Sequence, residues 1–259
     1  MIRPLGAALL AFALTFPAVA ADEMVGHRAV YDLSLVRGSP GGGTMSGRLA
    51  MDFKRVCDGY TLTQRFRTET IGDGGEKQIG DYSVTSWEAL DGSGFRFNIK
   101  HENNGNLDDE FDGRSDSKAG KATFTKPAGL VLDLPVGTIY PTEHLVRLVA
   151  AARRGDRVAP LKVFDGSADD GVYDVGGFIG RPFEKEAGAA KLLAPLKGLD
   201  SWHVRLAYFP HLAKTDLPEY ELAFRLYANG VSSDLVLDYG EYALKGVLVN
   251  LEMHPAPRC

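Results

Sequence analysis

The chain has 259 residues, of which 44% are hydrophobic and 24% charged, and its formal net charge is −5. No basic excess exists to displace counterions from phosphates, which argues against nucleic acid as a partner. The local pairs Arg65/Arg67 and Arg153–Arg154 read as solvated faces. A chain of this length can bury a good core, and all-β chains of this size commonly form one domain.

The N-terminus reads as a secretory signal peptide over residues 1–20. Arg3 supplies the positive region, Leu5 to Phe16 an apolar stretch too short to span a bilayer, and Pro17-Ala18-Val19-Ala20 a small-x-small cleavage pattern. Cleavage after Ala20 leaves a single predicted domain over residues 21–259. No cysteine follows the cleavage site, so a lipoprotein anchor is excluded. No later segment approaches the roughly 18 apolar residues of a spanning helix, so the mature chain is expected to carry no transmembrane segment.

Period-two alternation dominates the rest of the chain. Residues 49–54 and 60–66 alternate on either side of Cys57-Asp58-Gly59, which predicts a β-hairpin with Cys57 at its tip. Residues 95–100 form another clean strand after the Asp91-Gly92-Ser93-Gly94 turn. The stretch around Asn103–Asn106 and Asp108–Gly113 is polar and acidic, and reads as a solvent-exposed connection or hairpin end. Residues 142–154 break the pattern and predict the one main helix. Thr142 is the expected N-cap, Arg153 and Arg154 favour the negative end, and Gly155 supplies the left-handed stop. Leu145, Leu148, Val149 and Ala152 form its apolar stripe, which must pack on a curved sheet. Residues 202–206, 220–225, 235–237 and 242–253 are further strands, with Asn229–Gly230 as a hairpin turn. About a dozen strands at regular spacing point to a mainly β sandwich or barrel-like sheet.

The chemistry-bearing patterns are sparse. Asp108, Glu110 and Asp112 alternate before Gly113, but Ala119 stands where a calcium loop needs a bidentate glutamate. Ser115 and Lys118 match S-x-x-K without the partner motifs of penicillin-binding enzymes. No nucleophile elbow, zinc-helix motif, phosphate loop or dinucleotide fingerprint occurs. The six histidines stand singly, so no metal or cofactor is expected. His144, with Thr142 and Glu143 beside it, is the best catalytic candidate, set against a bland role bonding backbone. Trp87, Phe95, Phe97, Tyr208, Phe209, Tyr220, Phe224 and Tyr227 either form ordinary core or line a cavity for a lipid-like ligand.

Taken together, several segments resemble the family of cell envelope integrity proteins EipB. They are residues 57–60, 134–144 with the helix, 163–167, and the run from Leu235 through Gly246 that closes in Cys259. The resemblance implies a periplasmic protein of Gram-negative bacteria with one β-spiral or broken-barrel domain. Its implied shape is that of the lipoprotein carriers LolA and LolB. It also implies a Cys57–Cys259 disulfide, which reads as a stabilising clasp without redox catalysis. The implied role is envelope maintenance with no known activity, and no ligand residues carry over. The leading expectation is therefore a non-enzymatic protein that binds a lipid, lipoprotein or envelope protein. The rivals are a hydrolase of envelope polymer working through His144 and nearby carboxylates, and a purely structural interaction module.

Overall fold

The computed structural model describes residues 24–39, 42–168, 171–184, 191–213 and 216–259. The signal-peptide reading falls outside the described residues. The N-terminal wall comprises β1 (His27–Arg37), β2 (Thr44–Arg55), β3 (Gly59–Ile71), β4 (Lys77–Ala89), β5 (Gly94–Asn103), β6 (Asn106–Asp116), β7 (Lys121–Lys126) and β8 (Val131–Asp133). After the short β9 (Thr138–Ile139) comes the helix α1 (Pro141–Arg154). The second wall comprises β10 (Leu161–Phe164), β11 (Val172–Pro182), β12 (Ser201–Pro210), β13 (Tyr220–Tyr227), β14 (Ser232–Asp238) and β15 (Ala243–Met253).

These strands form one 15-stranded sheet ordered β8-β7-β6-β5-β4-β3-β2-β1-β15-β14-β13-β12-β11-β10-β9. Its strand pairs are antiparallel except β9 with β10. The first and last strands pair in the middle, from His27 opposite Met253 to Arg37 opposite Ala243. The two edges are therefore β8 and β9, which are neighbours in sequence. Five residue steps, at most roughly 17 Å of chain, separate Asp133 from Thr138. The sheet must curl until its edges approach, and they overlap. Phe164, Tyr140 and Val172 from the β9–β11 side pack on Phe95, Phe97 and Phe124 of the opposite wall. Phe97 meets Phe124 at 5.2 Å and Phe164 at 5.6 Å, both edge-on. Gly166 has φ +76°, and a Cβ there would sit 2.7 Å from the Phe97 ring, so only glycine permits this approach. The edges β8 and β9 do not pair with each other, which makes the shape a broken barrel.

Pleating sends alternate residues inward and outward. Glu88, Phe95, Ser115 and Ala122 form one inward row across β4 to β7. The outer face carries cross-strand charge pairs, such as Arg65–Asp81 at 2.6 Å and Arg205–Glu221 at 2.7 Å. The acidic stretch at Asp108–Gly113 is part of this face. It is not a connection but the body of β6, where Glu110 reaches Lys126 at 2.5 Å and Lys100 at 3.5 Å. Lysines on both neighbouring strands neutralise an acidic run that local propensity disfavours as strand. The hairpin end lies just before it, where Asn104 and Gly105 both adopt positive φ.

In an antiparallel meander successive turns fall at alternate ends. One end holds the Cys57 turn, the β4–β5 turn, the Asn229–Gly230 turn and both termini of the described chain. The helix plugs this end. Leu148 and Val149 are almost fully buried against Val163, Val175, Ile179, Val204 and Leu226, each contributing about 1.5–3 kcal/mol. Gly155 ends the helix as expected, at φ 83° with its N–H on the carbonyls of Ala151 and Ala152. The start differs from expectation: Tyr140 occupies the N-cap position and makes no side-chain cap. The acceptor comes instead from Glu88 on β4, which takes the Thr142 and Glu143 N–H groups.

Cys57 and Cys259 form a disulfide across 202 residues, with a Cα–Cα distance of 5.6 Å. Cys57 lies in the β2–β3 turn and Cys259 follows β15, so the bond reaches across β1. His254 holds the tail on the way. Its backbone N–H donates to Gly26 and its Nε2 lies 2.6 Å from Asp52. Burial alone would push the Asp52 carboxyl up, but His254, Lys54 and Arg28 together draw it down to about 2.

Candidate functional site

The helix fills only the closed half of the curled sheet. Toward the other end, residues that alternation turns inward stay half-buried: Phe66 on β3, Tyr82 and Val84 on β4, Leu222 on β13, Leu237 on β14. Register places Phe66 opposite Tyr82 and Leu222 opposite Leu237, so these residues lie level with one another on each wall. In a filled barrel such positions would be fully enclosed. Here they keep part of their surface exposed on the inner face, toward the end away from the helix.

Tyrosines ring that open end because the ends or beginnings of β10 to β15 converge there. Tyr208 stacks on Tyr220 with centroids 4.4 Å apart. Tyr173 meets both edge-on at 5.8 and 5.9 Å, and Tyr220 lies 6.3 Å from Tyr239. Tyr239 stacks in turn on Tyr242 at 5.1 Å. Asp165 follows β10 and accepts the Ser167 N–H at 2.9 Å. Burial pushes its carboxyl up, and Glu219 nearby pushes the same way. The Asp165 charge is felt by Tyr208 and Tyr220, and by Tyr82 from the opposite wall. Burial raises the phenol of Tyr239 to about 12, so these rings stay neutral.

A second polar set lies at the closed end. Glu88 is 3% exposed and takes the backbone N–H groups of Thr142 at 2.6 Å and Glu143 at 2.7 Å. Burial is the larger influence and lifts its carboxyl to about 7, against the pull of the two donors. His144 is 4% exposed, its Nε2 has no hydrogen-bond partner among the described residues, and burial lowers its ring to about 4. Glu143, the carboxylate beside it in sequence, bonds Arg147 at 2.5 Å instead. His144 is thus a buried neutral ring at the plugged end, away from the open interior.

Such a ring makes stability depend on pH. A histidine with folded value near 4 and unfolded value near 6.5 lets the unfolded chain bind more protons between those pH values. Its contribution is whole above pH 6.5 and falls by about 3 kcal/mol as the pH drops to 4. His144→Leu should remove that loss and raise the unfolding midpoint at pH 5, as read by chemical denaturation across pH 4–8. A variant that keeps the wild-type pH profile would show that His144 does not titrate as a buried group.

The aromatic residues marked by the sequence separate into three locations. Phe95, Phe97 and Phe224 are core, and Tyr227 packs with Leu196 and Val231. Trp87 and Phe209 face outward, Trp87 under the Arg96 guanidinium and Phe209 on a shallow groove of about 480 Å³ beside Lys162 and Asp174. Tyr208 and Tyr220 belong to the open end. The sequence singles out none of Asp165, Tyr82, Tyr173, Tyr239 and Glu88 for a role at a site: Tyr173 and Tyr239 meet their ring partners within the second wall, while Tyr82 and Glu88 reach theirs only through the curl of the sheet.

Fold and site define a disulfide-clasped broken barrel whose inner face stays partly exposed toward one end. The chain belongs to the EipB-like family, whose model matches residues 18–255. It is 33% identical over 250 residues to the cell envelope integrity protein EipB of Brucella abortus (strain 2308), covering 94% of this chain and 89% of that one. A crystal structure of a β-barrel-like protein of a domain of unknown function, also from Brucella abortus, superposes with a TM-score of 0.82 at 32% identity. That match covers 90% of this chain and 99% of the other.

Proposed function

We propose that the mature chain, residues 21–259, works in the periplasm as a non-enzymatic envelope-integrity protein. In this reading it takes an acyl chain, free or carried by a lipid or lipoprotein, into the open half of its sheet. The observation that carries the reading is the set of inward aliphatic and aromatic residues, among them Phe66, Val84, Leu222 and Leu237, left half-buried. A protein in water keeps large apolar surface unfilled at a cost of roughly 25 cal/mol per Å², and a ligand recovers it. The relative named for cell envelope integrity and the export signal read in residues 1–20 support the compartment.

Protein isolated from the periplasm should begin at Ala21 and release a lipid or lipoprotein on native mass spectrometry and solvent extraction. Val84→Glu, which sets a charge on the inner wall, should weaken binding of a fluorescent fatty-acid analogue at least tenfold. A protein that carries nothing and binds no acyl probe would overturn the proposal.

A further inference from the structure

We infer that the first half of β6, Asn106 to Phe111, is a strand-addition site for an extended segment of a partner protein in which basic and apolar residues alternate. The site does not depend on an acyl ligand. β6 runs from Asn106 to Asp116, but β7 pairs only with Asp112 to Asp116. After Lys126 the chain turns back through Pro127 to Leu130, whose N–H donates to the Pro127 carbonyl at 3.4 Å. Asn106 to Phe111 therefore have β5 on one side and, among the described residues, no strand on the other. Among those residues, no backbone hydrogen bond reaches this segment from outside β5.

The backbone direction follows from alternation, since successive residues of an antiparallel strand turn their N–H and C=O to opposite neighbours. Asp112 turns its carbonyl toward β7, where the Thr125 hydroxyl lies 3.2 Å away. Glu110, two residues back and in unbroken register with β5, presents its N–H and C=O on the same side, past the end of β7. An edge with unused backbone groups pairs readily with another chain, and folds commonly blunt it by shortening the strand. The ends of the sheet, β8 and β9, are blunted in this way, with 3 and 2 residues. The overhang of β6 is not, and Leu107 on it is 53% exposed. The register shift beside Asp108 bends only its far end.

Charge selects the occupant. Glu110 is met by Lys126 at 2.5 Å and Lys100 at 3.5 Å. Among the described residues Asp109 has only His101, at 4.0 Å, and Asp108 has no ion pair. A second copy added antiparallel would set this run of acids against itself, and like charges directly across a strand pair are destabilising. A strand with lysine or arginine at alternate positions supplies the complementary charge. Its other face lies alongside Phe111, half-buried with its ring 6.4 Å from Phe124, and takes apolar residues.

The test mixes the folded protein with three short capped peptides, read by fluorescence anisotropy and amide hydrogen exchange. One alternates lysine with valine, one alternates glutamate with valine, and one carries its lysines in a block before its valines. The alternating lysine peptide should bind and slow exchange within Asn106–Phe111 by roughly tenfold, leaving β1 and β15 unchanged. Asp108→Lys combined with Asp109→Lys should reverse the choice in favour of the glutamate peptide. Glu110→Pro removes an edge N–H that the β5 ladder does not use, and should abolish the protection at an unchanged melting temperature. Should proline unfold the hairpin, the charge reversal decides alone. Equal binding of the alternating and block lysine peptides would overturn strand addition, as would protection by none of the three. Protection that appears without peptide and grows with protein concentration would make a second copy the occupant and overturn the partner.

Discussion

Replacing Cys57 with serine is expected to lower the thermal unfolding midpoint by roughly 10 °C. The bond spans 202 residues, and closing so long a loop in the unfolded chain is worth at most about 5 kcal/mol in the chain-entropy model. Each kcal/mol moves the midpoint of a domain this size by about 2–4 °C. Part of the maximum survives without the bond, because His254 still ties the tail to Gly26 and Asp52. The position of the clasp makes the loss a cooperative one. Every antiparallel pair from β2 to β8 and from β10 to β15 joins strands adjacent in sequence, whereas β1 with β15 joins the two ends of the chain. That pairing carries the largest loop-closure cost in the sheet. The disulfide runs from the β2–β3 turn over β1 to the tail of β15, so it clasps this central seam. It does not bridge the gap between the edges β8 and β9. Scanning calorimetry of wild type and Cys57→Ser under oxidising conditions is the check, and equal midpoints would refute it.

Where interactions are local, the sequence is a sufficient guide. The helix from Pro141 to Arg154 follows from its apolar stripe and the Gly155 stop, both confined to neighbouring turns. The Cys57 hairpin tip follows from a short turn flanked by alternation, and a hairpin also forms at Asn229–Gly230, though with three residues, Ala228 to Gly230, between the paired Tyr227 and Val231. Interactions across the curl are not legible. β6 reads as a connection because its run of acids looks solvated, and the lysines that neutralise it sit on β5 and at the end of β7. Thr142 reads as the cap because local side chains usually supply it, yet the acceptor is Glu88, 54 residues upstream. The tyrosine ring is half visible for the same reason. Tyr208 and Tyr220 stand out beside their strands, but Tyr82 joins them only when β4 of one wall faces the ends of strands in the other. The family resemblance supplies the broken barrel and the cysteine pairing, which alternation alone leaves open.

Glu88→Gln is expected to make the protein more stable than wild type by roughly 3 kcal/mol above pH 8 and nearly equal to it at pH 4.5. Two effects compete at this carboxylate. The helix N-terminus and two backbone donors favour its charged form, while burial at 3% exposure favours the neutral form. A folded value near 7 against 4.5 unfolded says that burial wins. The folded chain therefore holds a proton that the unfolded chain releases between pH 4.5 and 7. Stability from this group is whole below pH 4.5 and is lost as the pH rises through 7, by about 3 kcal/mol. Glutamine removes that loss because it never ionises, and its oxygen still accepts one of the two N–H bonds. Glu88→Ala instead leaves both donors buried without an acceptor and should cost roughly 3 kcal/mol at pH 5. The slope of Glu88 opposes that of His144 over pH 4.5–6.5, so the wild type should show a flat profile there. Each single variant then unmasks the other group: His144→Leu grows less stable as pH rises through this window, and Glu88→Gln grows more stable. Denaturant titrations of the three proteins at half-unit steps read both slopes. A Glu88→Gln protein weaker than wild type at pH 8 would mean that the carboxylate holds the helix in its charged form, with the donors outweighing burial.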